Sequence, residues 1–404
     1  MPHPGGESAA PFTDIKASFV FIGMSKGPQY AAAIYGLADT PSVSIRLTNA
    51  ASRPGKDIDM KAIVFEEHGG PEVLKYTDVP EPKISPNEVL LKIHASGVNY
   101  NDIWARQGLP GVQIILPHIS GSDAAGEVVE IGSEVTNVKV GDEVVVFSSL
   151  SCGVCDACAR GEVFFCRQFK IWGFQTGPLD GGHAEYAKVP AFNVVPKPKN
   201  LSWEQAASMP LVLFTAWRML VSRARIKPGD FVLVWGAGGG LGTMAVQICK
   251  LFNASAIAVA NSDEKLQIAS ELGAAYAINR SKQDVNEEIR KITGRRGVDV
   301  VFEHVGEATW ETSVRSLKWG GTLVICGATS GFEGKTDFRL LWNKQLHFLG
   351  SHMANKGEFV DAWRFVESGD IKPAVFIALP LQEAALAQRT VEGGQVIGKV
   401  VLTR

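Results

Sequence analysis

The stretch that decides the fold is FVLVWGAGGGLGTMAVQICKLF, residues 231–252. A short apolar run (FVLVW) leads directly into a cluster of glycines. The apolar residues after the glycines then recur at helical spacing. Strand, glycine loop and helix in immediate succession form a phosphate-binding turn. Read as A-x-G-x-x-G, the loop uses Ala237, Gly239 and Gly242, with Gly240 and Leu241 between them. The glycines let the backbone approach a pyrophosphate, which sits on the unpaired N–H groups of the helix N-terminus. A tight turn between two packed elements is the plainer reading of the same glycines.

The second strand, within ASAIAVANSDEK (254–265), tells which dinucleotide is expected. NAD-type sites usually end that strand in a carboxylate that accepts from the ribose 2′-hydroxyl. Here the strand ends in Ala260, Asn261 and Ser262, while Asp263 and Glu264 read as first-turn residues of the following helix. Small polar groups followed by Lys265 suit a 2′-phosphate, which needs donors and positive charge, so NADP(H) is expected. Lys265 reads equally as an ordinary exposed helix lysine.

Outward from this core the chain changes rhythm twice. From Ser202 onward helices alternate with the strands FVLVW, AIAVA, YAINR, DVVFEH, TLVIC and LHFLG, the pattern of a doubly wound parallel sheet. SWEQAASMPLVLFTAWRML (202–220) reads as one helix opened by a capping box from Ser202 to Gln205. Upstream, EVLLKI, GEVVEIG, DEVVVF and HAEYAKV are short strands separated by Gly, Pro, Asn and Asp, the mark of an antiparallel barrel or sandwich. The fold class expected is therefore α/β. A β-rich domain spans 60–201 with a cysteine lobe at 150–168, a Rossmann domain spans 202–350, and residues 351–404 return to the first domain. Residues 1–59 show no steady period and read as a disordered extension.

A net charge of −2 gives no general attraction to nucleic acid or an anionic surface. No apolar run approaches the roughly 18 residues of a membrane span. Of six cysteines, four lie in SCGVCDACARGEVFFC (151–166), spaced C-x2-C-x2-C-x7-C. Without a secretion signal, such clustering points to bound zinc rather than disulfides and to a reducing cytoplasm.

A β-rich front, a Rossmann back half and a four-cysteine lobe together resemble the medium-chain dehydrogenase/reductases, over 60–404. The resemblance implies a GroES-like catalytic domain and makes Cys152, Cys155, Cys158 and Cys166 the ligands of one structural zinc. Four thiolates close a tetrahedral shell and leave no position for substrate. Zinc alcohol dehydrogenases of that family also carry a catalytic metal, held by a GVC cysteine, a GHE histidine and a further cysteine. At those places this chain reads GVNYND (97–102), GSDAAG (121–126) and SMPLVLFTAW (208–217). Asn99, Ser122 and Leu211 stand where the ligands would be, and none is a usual zinc ligand.

The stretches GVNYNDIWA, IWGFQT, VFEHVGEAT and DFRLLWNKQLHFLGSHMAN resemble the crotonyl-CoA reductase and carboxylase/reductase branch more specifically. This implies reduction of the C=C bond of a 2-enoyl-CoA by NADPH, with an acyl-CoA thioester as substrate and no need of a Lewis acid. Asn99, Tyr100, Asn101 and His304 are the catalytic candidates. Tyr100 reads either as a proton or oxyanion donor or as a packed aromatic, and His304 either as a site residue or as a structural one. Carboxylating members carry a Phe-Glu pair where this chain has Phe174–Gln175, which argues against carboxylation. A zinc-free quinone oxidoreductase, an alcohol dehydrogenase-like oxidoreductase and a non-catalytic dinucleotide-binding protein are the rival readings. A homo-oligomer, dimer or tetramer, is expected, with LHFLGSH as an edge strand able to pair across a two-fold axis.

Overall fold

The computed structural model describes residues 59–404. The extension read over 1–59 therefore lies outside the described residues except for Asp59, which opens the first strand. Two sheets organise the chain. The first is six-stranded, in the order Tyr276–Asn279, Ser255–Ala260, Phe231–Val234, Val298–Glu303, Leu317–Ile325 and His347–Gly350. Every neighbouring pair in it is parallel. Val298–Glu303 is buried along its whole length, as a central strand covered by helices on both faces must be. The strand order reverses between Phe231–Val234 and Val298–Glu303. Their carboxyl ends, the glycine loop and His304, thus share the crevice where such sheets bind ligands. His347–Gly350 is the edge of the sheet.

The second sheet has the path Val375–Pro380, Lys399–Thr403, Glu88–Gly97, Asp123–Ile131, Glu143–Val146 and Val194–Pro196, with Tyr186–Pro190 also pairing with Glu88–Gly97. Its strands are antiparallel except the first pair. The strand Lys399–Thr403 brings the end of the chain back beside Glu88–Gly97, with Val401 opposite Gly97. Phe147 of this lobe packs on Phe214 and Phe359 at ring separations of 5.3 and 5.5 Å, part of one apolar core that runs between the sheets.

The connection between the sheets differs from expectation. Residues 202–220 form two helices, Trp203–Ala207 and Pro210–Trp217, followed by a π-helical turn over Arg218–Arg223. The capping box from Ser202 to Gln205 is present, but Pro210 has no N–H to continue the first helix and instead opens the second. Among the described residues no helix is long and apolar enough to cross a membrane.

Candidate active site and cysteine lobe

The glycine loop closes on itself. A Cβ on Gly242 would stand 2.6 Å from Ala237 Cα and collide with the carbonyl of Gly236, so only glycine lets helix Gly240–Leu251 start this close to the strand. That helix has Gly239 at its N-cap, no side-chain cap and no acid in its first turn, which leaves its N-terminal N–H groups to an anion. At the end of the second strand, Ser262 caps helix Asp263–Glu271 and accepts from Lys265 N. Lys265 Nζ donates to Asn261 Oδ1 at 3.1 Å and to the carbonyl of Gly394. Burial, and secondly the neighbouring positive charge of Arg280, lower the pKa of Lys265. Two cations thus flank the strand end. Arg280 was missed in the sequence because it follows a different strand, Tyr276–Asn279.

Across the crevice, Asn99, Tyr100 and Asn101 sit at the start of helix Tyr100–Gln107. Asn99 is buried and committed at both ends. Its Nδ2 donates to Asp123 Oδ2 at 2.8 Å, and its Oδ1 accepts from Lys399 Nζ at 2.5 Å. Asp123 Oδ1 in turn accepts from Leu211 N at 2.8 Å. The three positions compared with metal ligands, Asn99, Ser122 and Leu211, therefore do converge, joined by hydrogen bonds around Asp123 and Asn101. Asp102 accepts from Asn99 N (2.7 Å) and Gly121 N (3.0 Å), with His183 Nε2 at 3.4 Å. Ser96 Oγ lies 2.9 Å from the other ring nitrogen of His183, which makes His183 part of the scaffold. Burial raises the pKa of Asp123 and lowers that of Lys399, and each charge partly offsets the effect on the other.

Asn101 Nδ2 donates to Ser122 Oγ at 2.8 Å, while its Oδ1 is buried without a protein partner. Tyr100 makes only a long contact to the carbonyl of Thr329, at 3.4 Å. Its ring meets Trp104 edge-on at 5.3 Å, and Trp104 meets Phe332 at 6.3 Å. Burial, then the charge of Glu392, raise the Tyr100 pKa, so the hydroxyl stays protonated and can donate. His304 faces the glycine loop, its Nε2 3.0 Å from the carbonyl of Trp235. Because a carbonyl only accepts, Nε2 carries the proton, and burial lowers the pKa of this histidine and keeps it neutral. Cys326, near the same strand edge, has its thiol pushed up to about 12 by burial. Gln175 turns its Oε1 back to Ile171 N at 3.1 Å, and Phe174 is buried in the core.

The cysteine lobe is a second cluster, made of other residues. The sulfurs of Cys152, Cys155, Cys158 and Cys166 all fall within 4.8 Å of one another, with Cys155 and Cys152 3.6 and 3.9 Å from Cys158. A tetrahedron with zinc–sulfur bonds of about 2.3 Å has edges of roughly 3.8 Å, so the four sulfurs fit a zinc ion. Among the described residues no other group of His, Cys, Asp or Glu gathers in this way. Hydrogen bonds from the backbone, first at Val154 and then at Cys155, lower the pKa of the Cys152 thiol. At Cys155 the backbone bond at Cys158 is outweighed by hydrogen bonds to the Cys158 and Cys152 sulfurs, which raise the pKa of that thiol. The lobe docks through Arg218, whose guanidinium lies 3.6 Å from the Phe164 ring centre and pairs with Glu358 at 2.8 Å.

Comparison with known proteins accounts for both lobes. Residues 85–199 match the alcohol dehydrogenase GroES-like domain, and residues 240–368 match the zinc-binding dehydrogenase family. A crotonyl-CoA carboxylase/reductase from Cereibacter sphaeroides is 38% identical over 82% of this chain and 84% of its own. The chain belongs to the medium-chain dehydrogenase/reductase family. Among solved members, an NAD-dependent alcohol dehydrogenase is 42% identical with a TM-score of 0.82, covering 85% of this chain and all of that one. The 2-octenoyl-CoA carboxylase reductase CinF, in complex with NADP and 2-octenoyl-CoA, is 35% identical with a TM-score of 0.78 over 87% of this chain and 88% of its own. As a medium-chain dehydrogenase/reductase the chain is an oxidoreductase.

Sequence reading missed Asp123, Lys399 and Trp104. A signal existed for two of them: the acid in GSDAAG and the lysine in GKVVL each open a strand and are followed directly by small or apolar residues.

Proposed function

We propose that this oxidoreductase reduces the C=C bond of a 2-enoyl-CoA thioester with NADPH, and that its zinc is structural. The observation that carries the reading is the Asn99–Asp123–Lys399 cluster. The positions at which zinc alcohol dehydrogenases hold a catalytic metal are filled by an amide, a hydroxyl and a leucine already joined in hydrogen bonds. That donor set does not suit zinc. An unactivated alcohol needs a Lewis acid to release its proton, whereas an enoyl thioester already carries the carbonyl that stabilises the enolate.

When bound, NADPH supplies the hydride. The chain's own groups do the rest. The N-terminus of helix Gly240–Leu251 receives the pyrophosphate, and Lys265 with Arg280 meets the 2′-phosphate. Asn101 Oδ1, buried and unpaired, is an acceptor left for a hydroxyl or amide of a ligand. Tyr100, protonated and weakly held, donates a hydrogen bond to the developing enolate oxygen, and the proton that completes the reduction at C2 comes from solvent. Asn99 and His304 are spent on scaffold contacts and orient their neighbours. Gln175 stands where carboxylating members carry a glutamate and turns its Oε1 back onto Ile171 N, which supports a product without added carbon.

The test is NADPH oxidation with crotonyl-CoA, acryloyl-CoA, quinones and aldehydes, with product mass measured in the presence of bicarbonate. Saturated acyl-CoA is expected. A dicarboxylic product would remove the non-carboxylating half. Rapid quinone or aldehyde reduction beside idle enoyl-CoA would transfer the site to the rival chemistry, for which the identity to an NAD-dependent alcohol dehydrogenase speaks.

A further inference from the structure

Lys399 stands at the meeting of three elements. Its strand runs antiparallel to Glu88–Gly97, which brings the side chain opposite Asn99. The preceding residue is pinned to the coenzyme loop, Gly398 N donating to Gly238 O at 2.7 Å. The lysine stem passes the first residue of the coenzyme helix so closely that a Cβ on Gly240 would stand 2.6 Å from Lys399 Cδ. The ammonium, on a residue only 6% exposed, donates to Asn99 Oδ1 and to Val98 O at 2.7 Å, and lies 3.6 Å from Asp123 Oδ2.

Burying a cation is expensive, and packing alone would be met by an apolar residue of similar length. The contacts also add a lysine to the ordinary arrangement at a helix start. The N-cap residue Asn99 is tied in two ways, its Oδ1 accepting from Lys399 Nζ and its backbone N–H donating to Asp102 in a capping box. Asp102 and Asp123 are the acidic groups that face the ammonium. Its charge offsets one of these two carboxylates, while its hydrogen bonds fix the residue from which Tyr100 and Asn101 project.

We propose that Lys399 is a positioning residue, a strut between the coenzyme loop and the Asn99 turn that keeps Tyr100 and Asn101 in register with the bound coenzyme. The inference rests on the oxidoreductase reading above, and on the enoyl-CoA substrate only for the choice of assay. Without the strut the first turn of helix Tyr100–Gln107 is referred to the glycine loop only through the backbone, by the strand pairing and the Gly398–Gly238 bond. A misplacement of about 1 Å is enough to cost on the order of 100-fold in rate.

The experiment compares Lys399→Met with Lys399→Met/Asp123→Asn, which also removes the carboxylate left unbalanced by the first change. The acceptor is whichever one the unaltered protein reduces fastest, so a protein idle with enoyl-CoA counts against the proposed function and not against Lys399. Lys399→Met is expected to lower kcat about 10- to 100-fold while the NADPH dissociation constant moves less than about threefold. The double variant is expected to regain melting temperature but not kcat. Three results would overturn the proposal: kcat within about threefold of the unaltered protein; NADPH affinity falling as far as kcat, which would make Lys399 a coenzyme ligand; or kcat recovering with melting temperature in the double variant, which would make Lys399 only a counter-ion. Should Lys399→Met not fold, the double variant is measured against Asp123→Asn and must be at least about tenfold slower.

Discussion

The cysteine lobe and the Asn99 turn belong to the same β-rich lobe, and each gathers several polar side chains, yet they are built in opposite ways. The lobe takes all four of its sulfurs from 15 consecutive residues, Cys152–Cys166. The Asn99 turn draws on Asp102, Asp123, Leu211 and Lys399, whose separation from Asn99 along the chain reaches 300 residues. A metal can supply the cohesion of a local loop. A cluster of hydrogen bonds around buried charges can be assembled only by the whole fold. The proposed zinc thus falls where it would hold a loop, and hydrogen-bond chemistry where hydride transfer is proposed.

The harshest way to break this comparison is to remove the metal. One zinc per chain is expected by metal analysis, and Cys155→Ser should release it. The loss of stability should be at least about 5 kcal/mol, since structural zinc contributes about 10–16 kcal/mol in small zinc-binding peptides. Turnover of protein that remains folded should stay within about threefold. Two zincs per chain, or a metal bound at Asn99, would erase the distinction between the two regions.

Acid sharpens it. His118 is fully buried, with Nε2 3.3 Å from Gly173 O and Nδ1 unpaired, and desolvation lowers its pKa to about 4. The unfolded chain takes up this proton near pH 6.5 and the folded chain only near 4. The neutral histidine therefore contributes its full stability above 6.5, and loses it progressively as pH falls to 4. The loss amounts to roughly 3 kcal/mol for a displacement of this size. Melting temperatures from pH 7 to 4 should drop less steeply in His118→Gln. If zinc stays bound while the unaltered protein loses this stability, the acid-sensitive part is the protein scaffold and not the lobe. An identical slope in the variant would remove His118 from the account.

Tyr100→Phe probes the crevice with a slightly smaller effect. Its hydroxyl is held only by a 3.4 Å contact, so removal disturbs little structure. Loss of one positioned donor typically slows turnover about 100-fold or more, roughly 2.7 kcal/mol. NADPH affinity and zinc content should be unchanged. Unaltered kcat would return Tyr100 to the role of a packed aromatic.

How much of this was legible in sequence follows the same local and non-local division. The strand, glycine loop and helix at 231–252 and the cysteine spacing at 152–166 are contiguous, so their geometry is written in neighbouring residues. The division of 202–220 into two helices was also legible, since Pro210 cannot donate to Ala206 O, but strong apolar character on both sides masked it. The commitment of Asn99 was not legible. Whether an asparagine faces substrate or a buried lysine depends on the pairing of Lys399–Thr403 with Glu88–Gly97, and nothing local to either segment sets that register. Arg280 was hidden for the same reason, since it reaches the coenzyme strand only because Tyr276–Asn279 lies beside it.

The smallest expected effect concerns the coenzyme end of the crevice, which resembles the Asn99 turn in relying on fixed charges without a metal. Introducing an acid at Ala260 is the obvious way to favour NADH, but Ala260 is 4% exposed and packed in the core, so that change would also bury a carboxylate. Arg280→Ala is cleaner, because among the described residues its guanidinium takes no part in the hydrogen bonds at Asn261, Ser262 and Lys265. Lys265→Ala removes a phosphate donor too, but also the bond to Gly394 O that ties the C-terminal return to the coenzyme helix. A charge-assisted hydrogen bond to phosphate contributes about 1.5–3 kcal/mol, and solvent at this exposed edge reduces it. Arg280→Ala should therefore weaken NADPH binding about tenfold and leave NADH unchanged. Lys265→Ala should weaken NADPH at least as much and also cost NADH a little, through the loosened return segment. Titration of both variants with both coenzymes separates the two contributions. Equal affinity of the unaltered protein for NADPH and NADH would show that neither cation reads the 2′-phosphate.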